Sequence, residues 1–209
     1  MEILIASKNK GKIKEIKDYF LTFGASTLLK KIKLITFEET VDFPDVEEGD
    51  ADFLENAILK AKKTAEATGK ITLADDSGLC VDLLGGMPGV ISSRYAGENA
   101  NDLQNRLKLL DEMAQFRKPS LRTARFVCQM VLWDPEEGLL NKSEGICEGR
   151  IGFTEKGSGG FGYDPIFIPQ GSMLTMAEIS PEDKNIISHR GKALMKMVYF
   201  LTAYVDSNS

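Results

Sequence analysis

The segment Ile71–Gly97, ITLADDSGLCVDLLGGMPGVISSRYAG, constrains the fold more than any other part of the chain. Ile71, Thr72, Leu73 and Ala74 form a short apolar, partly β-branched run of the kind that packs as a buried strand. The pattern predicts that this strand stops at Asp75-Asp76-Ser77-Gly78. Two adjacent carboxylates at the tip of a buried strand are costly, because desolvation and like charge both oppose ionisation unless a cation neutralises them. Successive residues of an extended chain point to opposite faces, so one Asp is expected to enter a cleft while the other secures the loop. Ser77 can donate to a ligand oxygen, and Gly78 permits close backbone approach. The Gly- and Pro-rich run that follows, ending in Arg94, is too constrained for an ordinary connector. The segment as a whole points to a metal and phosphate site.

With 209 residues, the chain can bury a sizeable core as one domain, or as two lobes sharing one sheet. Its formal net charge of -5 argues against non-specific nucleic-acid binding, which calls for a basic face. No apolar run reaches the length of a membrane span, and the N-terminal residues enter a strand pattern rather than a signal-peptide core, so the expected location is the cytoplasm. Cys80, Cys128 and Cys147 are odd in number and lack CxxC spacing, which argues against a disulfide framework or a structural zinc site. They read as core or near-core thiols. The lone histidine, His189, directs any metal towards carboxylate and water ligands, and so towards Mg2+ or Mn2+.

Along the chain, a strand over Glu2–Ala6 leads into Ser7-Lys8-Asn9-Lys10-Gly11-Lys12 and then an amphipathic helix with Ile13, Ile16, Phe20 and Phe23 on one face. A strand, a polar loop and a helix N-terminus together favour an anion, because unpaired N–H groups and the helix dipole point at whatever lies above them. The loop is not a Walker A motif, since the first glycine and the Lys-Ser/Thr pair are missing. After a strand near Lys33–Thr36 and an acidic loop, Glu47-Glu48-Gly49-Asp50 leads to a second helix. Asp52 is its expected cap, and it runs to Thr68. Asn56, Lys60 and Lys63 share its polar face, opposite Phe53, Ala57 and Ala61. A lysine there could reach a phosphate, and Glu47 or Glu48 could supply a second metal carboxylate.

A further helix is expected over Asn101–Phe116 with Leu103, Leu107 and Leu110 on its apolar face. Thr123–Asp134 and Leu139–Glu148 read as a hairpin and as the basis of a second lobe, with the single Trp packing there. Gly159-Gly160-Phe161-Gly162-Tyr163-Asp164-Pro165 places aromatic rings between glycines, which suits stacking on a base. Ser180-Pro181-Glu182-Asp183 starts a short helix carrying Lys184, and Ser188-His189-Arg190-Gly191 is expected to break the pattern before a last helix over Lys192–Val205. The chemistry converges: the lysine loop, Lys60 and Lys184 for phosphate charge, Asp76 with Glu47 or Glu48 for a divalent cation, and Phe161 with His189 and Arg190 for a base. That combination describes a nucleoside triphosphate site.

SKNKGK, ENAILKA, ADDSGL with VDLLGGMPGVISSRYAG, GGFGYDPIF and SHRGKAL occur in the order found in the inosine triphosphate pyrophosphatase family, which this chain resembles from about Ile3 to Tyr199. The resemblance implies an α/β fold with an elongated mixed β-sheet flanked by helices, related to that of the Maf proteins. The fold would be a single domain over residues 1–209, with two lobes and a central cleft, the second lobe built mainly on about residues 120–150. It implies Mg2+-dependent hydrolysis of dITP, ITP and XTP to the monophosphate and pyrophosphate by a cytoplasmic homodimer that cleanses the nucleotide pool. Carried over by motif, Ser7, Lys8, Asn9, Lys10, Gly11 and Lys12 would line the triphosphate with help from Lys60. Asp76 would accept a proton and bind metal together with Glu47 or Glu48, and Ser77 would meet the substrate. Phe161, Gly162, Tyr163 and Asp164 would hold the base and sugar side, completed by Lys184, His189 and Arg190. Departures are Ser-Ser-Arg where Ser-Ala-Arg is commoner, Cys80 after ADDSGL, and a longer stretch over residues 24–46. Competing readings are a Maf-like pyrophosphatase for pyrimidine or modified nucleotides, and a nucleotide sensor without turnover.

Overall fold

The computed structural model describes residues 1–24, 26–50 and 52–207. Six strands form one mixed sheet in the order β2-β1-β3-β4-β5-β6: β1 Glu2–Ile5, β2 Lys33–Ile35, β3 Ile71–Val81, β4 Thr123–Asp134, β5 Gly138–Ile151 and β6 Phe167–Pro169. β1 pairs in parallel with both β2 and β3, and β5 pairs antiparallel with β6. The helices are α1 Lys10–Phe23, α2 Ser26–Lys31, α3 Phe53–Thr68, α4 Asp102–Glu112, α5 Pro181–Ile187 and α6 His189–Ser207. Two compact units result: unit 1 of Met1–Asp76, Cys128–Gly145 and Arg190–Ser209, and unit 2 of Ser77–Val127 and Ile146–His189. β3, β4 and β5 each contribute residues to both. Among the described residues no helix is long and apolar enough to cross a membrane.

In unit 1, Ile3 and Ile5 of β1 pack with Ile16 and Phe20 of α1, Met130 and Leu132 of β4, and Leu194, Met197 and Leu201 of α6. Ile16 and Phe20 stand one turn apart, as the helical spacing requires. Phe23, expected on the same face, is exposed at the end of the helix. On α3, Ala57 and Ala61 pack with Ala6, Ala74 and Val131. Side chains this small let the helix lie close to the strands, and closeness buries the neighbouring positions Asn56 and Lys60 as well. The polar face read from the sequence is therefore divided, with Lys63 exposed and the other two inside. Asp52 caps this helix by accepting from the N–H of Leu54 and Glu55 at 2.6 and 3.1 Å, and the helix stops at Gly69.

In unit 2, Leu79, Val81, Leu109, Met113, Phe126 and Phe167 form the core. The fully buried Arg122 donates to the carbonyls of Met113 (2.6 Å) and Phe116 (3.2 Å) just beyond α4, and to those of Ile151 (2.9 Å) and Gly152 (2.7 Å) at the end of β5. Carbonyl dipoles at a helix C-terminus are natural partners for a cation.

Four local expectations change. β3 does not stop at Asp75 but runs through both aspartates to Val81, because cations from distant residues neutralise them inside the strand. The buried face of α4 carries Asn105 and Leu109, whereas Leu103 and Leu107 are exposed. Asn105 is buried because its side chain accepts from Ala96 N–H at 2.8 Å and donates to Ser93 C=O at 2.9 Å. Within residues 24–46, α2 is a helix that the sequence pattern did not indicate. The last helix begins at His189, so the break before it is confined to the cap of α5 at Ser188.

Candidate functional site

Unit 1 gathers the acidic and cationic residues. Asp75 and Asp76 lie side by side on β3, both buried, and the alternation of the strand sends them to different partners. Asp75 Oδ2 is 3.0 Å from Arg190 Nη2 and 3.2 Å from Lys12 Nζ, and Arg190 also pairs with Glu15 of α1. The thiol of Cys128 sits 4.0 Å from the same oxygen. Burial alone would raise the Asp75 carboxyl, but Lys12, Arg190 and Lys60 outweigh it and hold the group well below the usual carboxylate range. The Arg190 guanidinium is correspondingly locked in its charged form, since Asp75 and Glu15 overcome its own burial.

Asp76 has the opposite balance. Its Oδ1 is 3.1 Å from Lys60 Nζ and its Oδ2 accepts from Asn56 Nδ2 at 3.2 Å. Lys60 Nζ is also 3.1 Å from Glu48 Oε1, so one ammonium lies against two carboxylates. Burial pushes the Asp76 carboxyl up, Glu48 adds to the rise, and Lys60 and Lys12 offset it only in part. Lys60 keeps its proton because Asp76, Glu48 and Asp75 together outweigh its burial. Asn56 orients the stretch before α3 by accepting from Gly49 N–H (2.8 Å) and donating to Gly49 C=O (2.9 Å). Glu47 is exposed, and of the two acidic neighbours it is Glu48 that reaches Lys60.

The SKNKGK stretch is part loop and part helix. Asn9 caps α1 by accepting from Lys12 N–H at 3.1 Å, and Ser7 Oγ accepts from Asn9 N–H at 3.1 Å. Lys10, Gly11 and Lys12 form the first turn, which contains no acidic residue. Lysines there oppose the helix dipole, an arrangement that favours an anion at the same end. Lys8 and Lys10 are exposed, with Lys8 paired to Asp45. Ser77, half-buried, follows Asp76 on β3.

Unit 2 gathers the aromatic residues and Lys184. Asp164 Oδ2 accepts from Phe161 N–H at 2.9 Å and pairs with the buried Lys184, whose Nζ stands 5.2 Å from the centroid of the Phe161 ring. A Cβ on Gly160 would collide with the Asp164 carboxylate, and φ of +69° there is a left-handed value that side chains rarely adopt. Tyr163 is buried and donates to Ser92 C=O at 2.8 Å. His189 is also buried, stacked on Phe126 with centroids 4.6 Å apart and planes at 9°. His189 and Arg190, adjacent in sequence and expected to act together on a base, thus have separate partners. The His189 ring lies on Phe126 of unit 2, and the Arg190 guanidinium on Asp75 and Glu15 of unit 1. Asn56 and Glu15 were not assigned roles from the sequence. Asn56 carried a signal, since it shares a helical face with Lys60, whereas Glu15 carried none.

Among the described residues no three His, Cys, Asp or Glu side chains cluster as a metal cage. The oxygen donors of Asp76 and Glu48, facing one cation, still fit Mg2+, which is held by one or two carboxylates together with substrate phosphates rather than by an all-protein cage.

Residues 3–200 match the model of the Ham1 family, and the chain belongs to that family. It is 44% identical over 200 residues to a protein named dITP/XTP pyrophosphatase from Oceanobacillus iheyensis, covering 96% of this chain and 98% of that one. A protein of the same name from Shewanella oneidensis is 43% identical over 201 residues, covering 94% and 92%. The solved structure of a HAM1 protein from Coxiella burnetii superposes with a TM-score of 0.83 at 40% identity, covering 97% of this chain and 99% of that one. The Staphylococcus aureus Ham1 protein gives a TM-score of 0.82 at 39% identity, covering 98% and 100%. The family resemblance read from the five motifs and the expected mixed sheet flanked by helices are both borne out.

Proposed function

We propose that this chain hydrolyses deaminated purine nucleoside triphosphates, namely dITP, ITP and XTP, to the monophosphate and pyrophosphate. The observation that carries the reading is the Asp76 site: a carboxylate raised by burial, sharing the Lys60 ammonium with Glu48, in the same unit as the lysine-bearing turn of α1. Relatives at 43 and 44% identity named for this activity support it.

In this reading Ser7, Lys8, Asn9, Lys10, Gly11, Lys12 and Lys60 hold the triphosphate and offset its charge. Water attacks the α-phosphorus, Asp76 accepts its proton, and the bond from the α-phosphorus to the α–β bridging oxygen breaks as pyrophosphate leaves. A carboxyl whose pKa burial has raised is a stronger base than a solvated one, which suits Asp76 to the task. Mg2+, or Mn2+ in its place, would be held by Asp76 and Glu48, and when bound it neutralises polyphosphate charge. Ser77 donates to the substrate. Arg190 keeps Asp75 ionised and charge-balanced instead of reading the base.

Phe161, Gly162, Tyr163 and Asp164, with Lys184 and His189, take the base. Donors aimed at a 6-oxo group meet another donor when the purine carries a 6-amino group, and a polar site of that kind discriminates by ~10^4 or more. The working form is placed in the cytoplasm as a homodimer. In support, Met195 and Tyr199, one turn apart on α6, are exposed and offer an apolar strip that a second copy would cover.

The test is product analysis with Mg2+ and dITP, ITP or XTP against the four usual deoxynucleoside triphosphates. Monophosphate and pyrophosphate, formed preferentially from the deaminated purines, are the expected result. Release of orthophosphate, or faster turnover of pyrimidine nucleotides, would overturn it.

A further inference from the structure

We propose that Asp102 and Arg106 of α4 are positioning residues that clamp the peptide groups of Gly162 and so fix the loop bearing Phe161, Tyr163 and Asp164. The two side chains stand one turn apart on the first part of the helix and grip opposite sides of a single residue. Asp102 Oδ2 accepts from Gly162 N–H at 2.7 Å, and Arg106 Nη1 donates to Gly162 C=O at 2.8 Å. Arg106 is itself oriented by Glu155, whose Oε1 lies 2.7 Å from its Nε.

Gly162 has φ of +59°, and nothing lies within 4 Å of where a Cβ would be, so conformation rather than space calls for glycine. Glycine loses more freedom on ordering than any other residue, and a left-handed turn needs something to hold it. The Gly162 N–H is at an exposed position, where water would satisfy it equally well. At the N–H the clamp therefore adds little by rescuing a buried polar group, while the carbonyl held by Arg106 is part-buried, and together the two bonds fix an orientation for the flanking rings. α4 can serve as the fixed part. The Asn101–Gln104 capping box closes its start, and Asn105 ties it to Ser93 and Ala96, beside the Ser92 carbonyl that receives Tyr163.

The inference rests on the reading of this loop as the base site. Its consequence is specific to ligands that carry a base, because a loop already ordered before binding spares the ligand the cost of ordering it.

The test measures wild type first, then Asp102→Ala, Asp102→Asn and Arg106→Ala, for dITP turnover and for inhibition by dIMP and by inorganic pyrophosphate. Leaving the Gly162 backbone for the ligand to order predicts that Asp102→Ala and Arg106→Ala raise KM for dITP and weaken dIMP about tenfold. kcat and pyrophosphate inhibition are expected to stay within about twofold, since neither depends on uniform binding of the base. Asp102→Asn, whose amide oxygen can still accept from Gly162, should restore most of the affinity. Unchanged KM, equal weakening of dIMP and pyrophosphate, or failure of Asp102→Asn to restore binding would each overturn the clamp. Absence of dITP turnover in wild type would instead overturn the proposed function, so the two failures are separate.

Discussion

Replacing each of the two adjacent aspartates by asparagine should have opposite consequences. Asp75→Asn keeps the shape but removes the charge that Lys12 and Arg190 share, leaving Arg190 with Glu15 and Lys12 uncompensated, and the Asp75 and Arg190 side chains are only 1% and 2% exposed. Removing one partner of a buried pair leaves an uncompensated charge and costs about 3–5 kcal/mol. For a chain of this size that is a fall of roughly 6–20 °C in the unfolding midpoint. Asp76→Asn neutralises a carboxyl that burial has already made reluctant to ionise, and Lys60 keeps Glu48. Its stability should stay within about 1 kcal/mol, or 2–4 °C, of wild type while turnover is lost. Thermal unfolding followed by circular dichroism in metal-free buffer at pH 7.5 measures both. The pH dependence has a fixed sign. Asp75 is lowered in the folded state, so its contribution is fully present above the unfolded value of about 3.9 and is lost as pH falls through the folded value. The gap between wild type and Asp75→Asn should hold steady from neutrality down to about pH 5 and narrow only in stronger acid. A midpoint for Asp75→Asn within about 2 °C of wild type, or an equal drop for Asp76→Asn, would refute this division of labour.

Other consequences can be checked with equal economy. Lys60→Met leaves the Asp76 and Glu48 carboxylates without their shared ammonium, so the rise in unfolding midpoint on adding Mg2+ should exceed that of wild type by several degrees, about 1–2 kcal/mol. An equal rise in both proteins would count against a metal position there. Gly160→Ala forces a Cβ into the Asp164 carboxylate and should raise KM for dITP at least about tenfold through loss of the Asp164–Lys184 geometry, whereas an unchanged KM would remove that pair from the base site. Burial pushes the Cys128 thiol up to about 12, so it stays protonated and unlabelled by a thiol reagent at pH 8 until the protein unfolds. Labelling of Cys128 in the native protein would contradict the buried network around Asp75.

Much of the candidate site could be proposed from the sequence because chemistry-bearing residues stand in short local motifs. Asp52 as a cap, the alternation of β4, and the Gly-rich run around Phe161 each depend on near neighbours. What stayed hidden depends on partners far apart in the chain. β3 continues through Asp75 and Asp76 because Arg190, 115 residues away, and Lys12 and Lys60 supply the charge that a local reading finds missing. Arg190, next to His189 in sequence, goes to Glu15 and Asp75, a choice fixed by packing rather than by adjacency. On α4 the leucine spacing holds only for Leu110, which packs partly on the core, while Leu103 and Leu107 are exposed because Asn105 takes the inner position with its amide satisfied by backbone groups, and leucine count does not register that. Asp102 and Arg106 bond to a main chain about sixty residues on, and no side-chain pattern marks backbone partners.

In the proposed reaction water attacks the α-phosphorus under the control of Asp76. Hydrolysis of dITP in 18O-labelled water, with the products separated and weighed by mass spectrometry, tests it most directly. One labelled oxygen in dIMP, none in pyrophosphate, and loss of product formation in Asp76→Asn are the expected results. Label in pyrophosphate, or undiminished labelling of dIMP by Asp76→Asn, would contradict it.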